Sequence, residues 1–380
     1  MIFVASNSHK ELMPSQRVNN LLIKGLLSTN DLKPEEIVNY PMSDGGDGMN
    51  YTYAHYRCCS EIDIVVRNPL GLQSKSSILY DENFETIIIE AAIVSGLQMI
   101  PQNKRNLMKS WSFGLADAMI IAKEVNAKKI IIGLGGSGIA DLGLGALSTL
   151  GAVLEINGKK VEIQPGLGLY NLRGLSKINL DPVFDFLVDI EVVLLNDVNN
   201  PLLGQSGAAK TFGPQKGASG DDIIFLEDMA KSFSDLLSCQ YNVEVNRPGV
   251  GAAGGFSAGF LCYDQSSLKL GAEFFVELSQ LLSHDKSFDI LITGEGRFDN
   301  TTLFQKLPHY LSQKAKSQYP ESEIYGVFGQ NLNKLEAQDL FNEIHTIYTD
   351  IEKKDLSDLN KFVPRQLEKI GKKIASKHCK

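Results

Sequence analysis

The sequence predicts a two-domain α/β protein: a discontinuous parallel-sheet domain with a second, mixed α/β domain inserted into it, and the active site in the cleft between them. Three observations predict it. First, four short apolar runs share one grammar, a buried strand that ends in a Gly-rich or polar loop and leads into helical periodicity: Ile2–Ala5, Lys129–Leu134, Ile290–Thr293 and Ile324–Phe328. Continuous apolar runs fit strands covered on both faces of a parallel sheet, and their wide separation fits crossover connections. Second, Ile62–Arg67, Lys75–Tyr80 and Glu85–Glu90 are strand-like and closely spaced, with turn signals at Asn68-Pro-Leu-Gly71 and Asp81-Glu-Asn83. Close spacing favours antiparallel pairing. Third, 380 residues suit two domains of ~100–200 residues.

Taken in order, Met1-Ile-Phe-Val-Ala5 reads as a first buried strand, because it has neither the basic leader nor the apolar length of a secretory signal. A cytoplasmic protein is expected. A second strand cluster is expected around Ile190–Leu195 and Asn242–Val245, and a closing surface helix over Ile351–Lys380, where charged and apolar residues alternate at helical spacing. The first domain is expected over 1–65, 105–150 and 285–380, and the inserted one over 66–104 and 151–284.

Composition excludes several classes. A net charge of −8 argues against a nucleic-acid binder, and no run is apolar enough for a membrane span. The five cysteines have no metal-ligand spacing, and reduced thiols are expected.

Six segments hold residues poorly suited to simple packing. Pro41-Met-Ser-Asp-Gly-Gly-Asp-Gly48 offers Asp44 or Asp47 as a proton acceptor or Mg²⁺ partner in a tight loop; an Asp-Gly turn is the structural alternative. Gly133–Gly145 follows a buried strand and presents backbone N–H groups to an anion, with Gly135, Gly136, Ser137 and Asp141 as candidates. It lacks the Gly-Lys-Ser/Thr of a P-loop and the acidic residue of a dinucleotide fingerprint, which argues against an NAD-linked dehydrogenase. Asp197 follows an apolar strand beside Asn199 and Asn200, a carboxylate–amide set for an oxygen-rich substrate, or an Asx turn ending the strand. Beyond it, Lys216 either faces a phosphate or is simply solvated.

Arg247-Pro-Gly-Val-Gly-Ala-Ala-Gly-Gly255 suits close approach by a nucleotide or by another backbone, Gly254 and Gly255 included. Thr293–Asp299 sets Glu295, Arg297 and Asp299 at one strand end, mixing carboxylates for a metal with a cation for phosphoryl oxygens; an ion-pair cluster is the alternative. Ser8-His-Lys10 ends the first strand, and His9 alone reads as a surface or satisfied histidine. Together the segments offer anion loops, carboxylates and cations without a Cys/His metal site or a Ser–His–Asp layout, a set that suits Mg²⁺-dependent phosphoryl transfer to a small polar acceptor.

The ordered set resembles the glycerate kinase family. The resemblance runs through Ser8-His-Lys10, Pro41–Gly48, Ile89-Glu-Ala-Ala92 with Ser95-Gly-Leu97, Arg105-Asn106, Gly135-Gly-Ser137, Asp197–Leu202, Phe212–Ala218, Gly251–Gly255 and Gly294–Asp299, and covers essentially the whole chain. It implies a Rossmann/flavodoxin-like first domain and phosphorylation of D-glycerate by ATP with Mg²⁺, by in-line transfer to 2-phosphoglycerate. It implies a small hydroxy acid as partner, no nucleic acid or membrane, and a monomer or homodimer. On the matching positions Asp197 is the leading base, Asp44 the alternative base or Mg²⁺ partner, and Glu295 and Asp299 organise the metal–phosphate side. Lys10 and Arg297 neutralise phosphoryl or carboxylate charge. Ser8, Gly135, Gly136, Ser137, Asp141, Asn200, Lys216, Gly254 and Gly255 complete the binding set.

The chain departs from the family pattern Gly-Gly-Ser-x-Thr-Asn-Asp-Gly-Gly at Ile139, Ala140 and Leu142, and inserts its only tryptophan, Trp111, after Arg105-Asn106. Asn7 stands where Asp is usual, and Thr301 and Gln305 also differ. These changes suggest a more apolar site. The alternatives are therefore a divergent paralogue acting on another hydroxy acid or modified acceptor, and a non-catalytic small-anion-binding protein on the same scaffold.

Overall fold

The structure, a computed structural model, describes residues 1–9, 12–283, 285–298, 306–331, 339–348 and 356–378. Two compact units emerge: residues 1–56 with 271–380, and residues 57–270. The first therefore is discontinuous and the second an insertion.

In the first unit, strands β1 (Ile2–Ser6), β2 (Ile37–Asn39), β12 (Ile290–Phe298), β13 (Glu323–Asn331) and β14 (Glu343–Thr346) form a parallel sheet in the order β14-β13-β12-β1-β2. All five residues of β1 are buried, as the continuous apolar run requires. Helices Ser15–Leu27 and Leu356–His378 pack together through Leu22, Leu26, Val363, Leu367 and Ile370. Their backbones touch so closely that a Cβ on Gly25 would collide with the Glu368 carbonyl. The expected closing helix is thus part of this unit's core.

The second unit holds β3 (Ser60–Arg67), β4 (Gln73–Asp81), β5 (Thr86–Glu90), β6 (Lys129–Gly133), β10 (Glu191–Asn196) and β11 (Ser266–Leu270) in one sheet, ordered β11-β10-β6-β5-β4-β3. The β3–β4–β5 pairs are antiparallel and the rest parallel. Gly71 N–H donates to the Asn68 carbonyl, closing the expected hairpin turn. A small antiparallel sheet adds β7 (Val153–Ile156), β8 (Lys159–Val161) and β9 (Leu175–Asn179), ordered β8-β7-β9.

Four expectations need correction. Residues 105–150 and 57–65 lie in the second unit and 271–284 in the first, because Ile130–Ile132 of β6 pair with Ile87–Ile89 and Val192–Leu194. An apolar run announces a buried strand but not the sheet it joins. Asn242–Val245 is not a strand: Asn242 is the left-handed C-cap of helix Gly220–Tyr241, and β11 takes the place beside β10. Gly294–Arg297 is not a loop, since β12 runs on through Phe298 in register with β13. Gly329-Gln330 likewise continues β13 to Asn331. Cys58, Cys59, Cys239 and Cys262 are free thiols; Cys379 lies outside the described residues. No helix among the described residues is long and apolar enough to cross a membrane.

Candidate active site

In open parallel sheets, ligands meet the carboxyl ends of the strands. In the first unit those ends carry Asn7, Ser8, Asp44 and Glu295. Asn7 joins three of the strand-end segments: its backbone N–H donates to the Gly294 carbonyl at 2.8 Å, and its Nδ2 donates to Asp44 Oδ2 at 2.8 Å. Its own Oδ1 accepts from the Ser8 N–H. Asp44 is buried, and its second oxygen accepts from the Gly46 N–H at 3.2 Å, so the loop's backbone fixes the carboxylate's orientation. Ser8 Oγ donates to the Asp47 carbonyl.

On β12 the side chains alternate, which puts Glu295, buried, and Arg297, exposed, on one face. Lys10 and Asp299 lie outside the described residues, as do Thr301 and Gln305. His9 is not a surface histidine. It is 1% exposed, neither ring nitrogen has a hydrogen-bond partner among the described residues, and burial pulls its pKa down to about 4, so the ring is neutral.

In the second unit the glycine-rich loop after β6 is held from three sides. Leu97 N–H donates to the Gly136 carbonyl and Gly138 N–H to the Ser95 carbonyl, which brings the Ser95-Gly-Leu97 motif against Gly135-Gly-Ser137. Asp141, fully buried, accepts from four donors: Ser112 N–H (2.9 Å) and Oγ (2.8 Å), Gly145 N–H (2.9 Å) and Gly143 N–H (3.3 Å). Burial raises its pKa against the pull of these donors. The carboxylate closes the loop on itself instead of facing a ligand. A Cβ on Gly145 would stand 2.9 Å from Asp141 Oδ2, leaving no room for another residue.

Lys216 holds the third side. It is 7% exposed; its Nζ donates to the Ile139 carbonyl at 2.8 Å and lies 3.4 Å from Ser137 Oγ. Burial lowers its pKa to about 8, opposed by the charges of Asp197 and Asp141. Of the two alternatives for this residue, the solvated lysine is therefore ruled out by its burial. Asp197 itself is half-buried, just past the end of β10.

The other predicted residues are structural neighbours of these loops. Asn200 Nδ2 donates to the Ser206 carbonyl at 2.7 Å and to Thr211 Oγ1, and its carbonyl accepts from Gly249 and Gly251. Gly254, at φ +63°, lies so near Ala140 that any side chain would collide with its backbone, and a Cβ on Gly255 would press on Leu142 and Leu202. This glycine run is shaped by another backbone. Trp111 and Ile139 are fully buried; the indole N–H donates to the Leu167 carbonyl at 2.8 Å. These two are core residues, whereas Ala140 and Leu142 line an apolar hollow together with Lys216, so the expectation of a more apolar site rests on those two changes. Leu142 keeps the left-handed conformation, φ +57°, that the family's glycine would adopt freely.

Sequence reasoning missed Asn196, Arg247 and Lys269, which line a hollow of about 240 Å³ where β10 and β11 end. Arg247 opens the glycine run in the sequence, but only the β10–β11 pairing puts Lys269 beside it.

Carboxylates near strand ends in each unit, a glycine-rich loop after β6 and a buried lysine are groups that a phosphotransferase of the kinase class uses. Comparison with known proteins gives the family. Residues 2–378 match the model of the glycerate kinase family, and the chain belongs to it. It is 32% identical to glycerate 2-kinase of Escherichia coli K12 over 331 residues, covering 86% of this chain and 84% of that protein. It is 33% identical to a glycerate kinase of Bacillus cereus, covering 83% and 82%. A solved structure described as glycerate kinase 2 of Salmonella typhimurium LT2 superposes with a TM-score of 0.79 at 27% identity, covering 99% and 97%.

Proposed function

We propose that this protein phosphorylates D-glycerate with ATP and Mg²⁺, giving 2-phosphoglycerate, in the cytoplasm and as a monomer or homodimer. The observation that carries the reading is Asp197, a half-buried carboxylate at the end of β10 whose charge stabilises the buried ammonium of Lys216. Asp197 takes the proton of the acceptor hydroxyl while that oxygen attacks the γ-phosphorus and the bond to ADP breaks.

Asp44, held by Asn7 and Gly46, is the alternative base or a metal partner. Glu295 is the described carboxylate for the metal, and Asp299, four residues on in the sequence, is assigned with it. Among the described residues no three His, Cys, Asp or Glu side chains converge on one point. The ion would rest on one or two carboxylates, with water and phosphate oxygens completing it, the mode Mg²⁺ takes. When bound, it neutralises charge on the transferred phosphoryl group. Arg297, exposed on the Glu295 face of β12, adds a cation to the same side, and Lys10 is assigned there from the sequence.

Glycerate is the acceptor we assign because two of the changes that argued for another one, Trp111 and Ile139, lie in the core. The test is acceptor-dependent ADP release by the purified protein with D-glycerate. Phosphorus NMR of the product tells the 2- from the 3-phosphate.

A further inference from the structure

We propose that Arg247 and Lys269 form the subsite for the acceptor's carboxylate, with Asn196 beneath them receiving a hydroxyl of the same molecule. The proposal rests on the kinase reading above and deepens it by naming what selects an acid.

The hollow of about 240 Å³ is walled by Pro248 and Leu268 and presents Asn196, Asn199, Arg247 and Lys269. It sits where two neighbouring parallel strands end, with Asn196 of β10 in register with Leu270 of β11. Its volume falls below the ~300–1,000 Å³ of pockets for drug-sized molecules, which suits a small acid.

Two features point to a ligand. Asn196 is 4% exposed, and its Oδ1 accepts no hydrogen bond among the described residues. Its amide is pressed against Gly249, where any Cβ would collide with Nδ2, so the side chain has little freedom to turn away. A buried acceptor without a donor is unfavourable unless a ligand supplies one. In addition, Arg247 and Lys269 are exposed, and neither forms an ion pair with a carboxylate among the described residues. Two cations set at one hollow without a protein anion favour an oxyanion, which the arginine fork grips with two parallel hydrogen bonds.

The pairing of cations with an empty acceptor selects the ligand class. A hydroxy acid brings both halves on adjacent carbons, a carboxylate for the cations and an O–H for Asn196 Oδ1. A nucleotide phosphate satisfies the cations but carries no such donor at neutral pH. Asp197 follows Asn196 directly in the chain, so the subsite lies one residue along the chain from the base we assign.

The test is steady-state kinetics of Arg247→Gln and Lys269→Gln with D-glycerate and ATP varied separately. Both side chains are exposed, so the variants should melt like the parent. Loss of a charge-assisted contact should raise KM for glycerate about tenfold or more in each, with KM for ATP held within about twofold. A rise in KM for ATP instead makes the hollow a phosphate subsite and overturns the proposal, as does an unchanged KM for glycerate.

If the parent protein turns over no glycerate, the kinase reading fails, and calorimetric titration with D-glycerate and with inorganic phosphate decides the subsite separately. Glycerate binding lost in both variants supports it. Binding unaltered by them, binding of phosphate alone, or no binding to the parent overturns it.

Discussion

The Lys216 ammonium donates to the Ile139 carbonyl at 2.8 Å, fully inside the second unit. The contact ties the segment after helix Ala208–Phe212 to the glycine-rich loop after β6. It gives a buried lysine a positioning role and, through the charge of Asp197, an electrostatic link to the base we assign.

That burial sets a pH dependence. The lysine's pKa is about 8 in the folded protein against 10.5 unfolded, so between those values the unfolded chain holds more protons and stability rises with pH. Relative to Lys216→Met, the parent should gain up to roughly 3 kcal/mol from pH 7.5 to 10.5. Parallel melts of the two proteins across that range check it; a difference independent of pH would contradict it.

His9 gives an acid counterpart. Its folded pKa of about 4 lies below the unfolded 6.5, so its contribution is complete above pH 6.5 and is lost as pH falls towards 4. Across that window the parent should lose up to roughly 3 kcal/mol relative to His9→Phe, read from urea midpoints at pH 7 and 4.5.

Asp141→Asn turns one acceptor oxygen into a donor among four donors. Whichever way the amide lies, an NH₂ meets an N–H or O–H. A loss of about 2–3 kcal/mol in chemical denaturation is expected, with an unchanged m-value. A near-neutral change would mean that the loop does not depend on this carboxylate.

Leu142 inverts a usual order. Alanine is ordinarily the milder replacement than glycine, but at φ +57° alanine keeps the backbone strain while losing the buried side chain. Leu142→Gly should therefore be the more stable of the two variants by about 1 kcal/mol. Thermal melts of both decide.

These residues also mark what a sequence can disclose. Ile2–Ala5, Lys129–Leu134, Ile290–Thr293 and Ile324–Phe328 were legible as buried parallel strands, because burial on both faces leaves an unbroken apolar run. The sheet that Lys129–Gly133 joins was not legible, since pairing with Ile87–Ile89 and Val192–Leu194 is a relation between distant segments. Asp44 stood out as a carboxylate in a tight glycine loop, and Asp197 as one following an apolar strand. Asp141, Asn200 and Gly254 look equally functional in one dimension, and only their hydrogen bonds and contacts reveal that they hold the loops. Trp111 misled for the same reason: a lone aromatic in a motif reads alike whether it lines a site or caps a core. Lys269 lies in an ordinary strand pattern and gains meaning only beside Arg247.

The proposed activity stands or falls on ADP release from ATP and Mg²⁺ with D-glycerate, comparing the protein with Asp197→Asn. Acceptor-dependent turnover by the parent should fall by at least about 100-fold in kcat in the variant, as loss of a general base should cause, while both proteins melt cooperatively. Equal turnover in the two would remove Asp197 from the chemistry, and no turnover by a well-folded parent protein would contradict the glycerate kinase activity proposed for this chain.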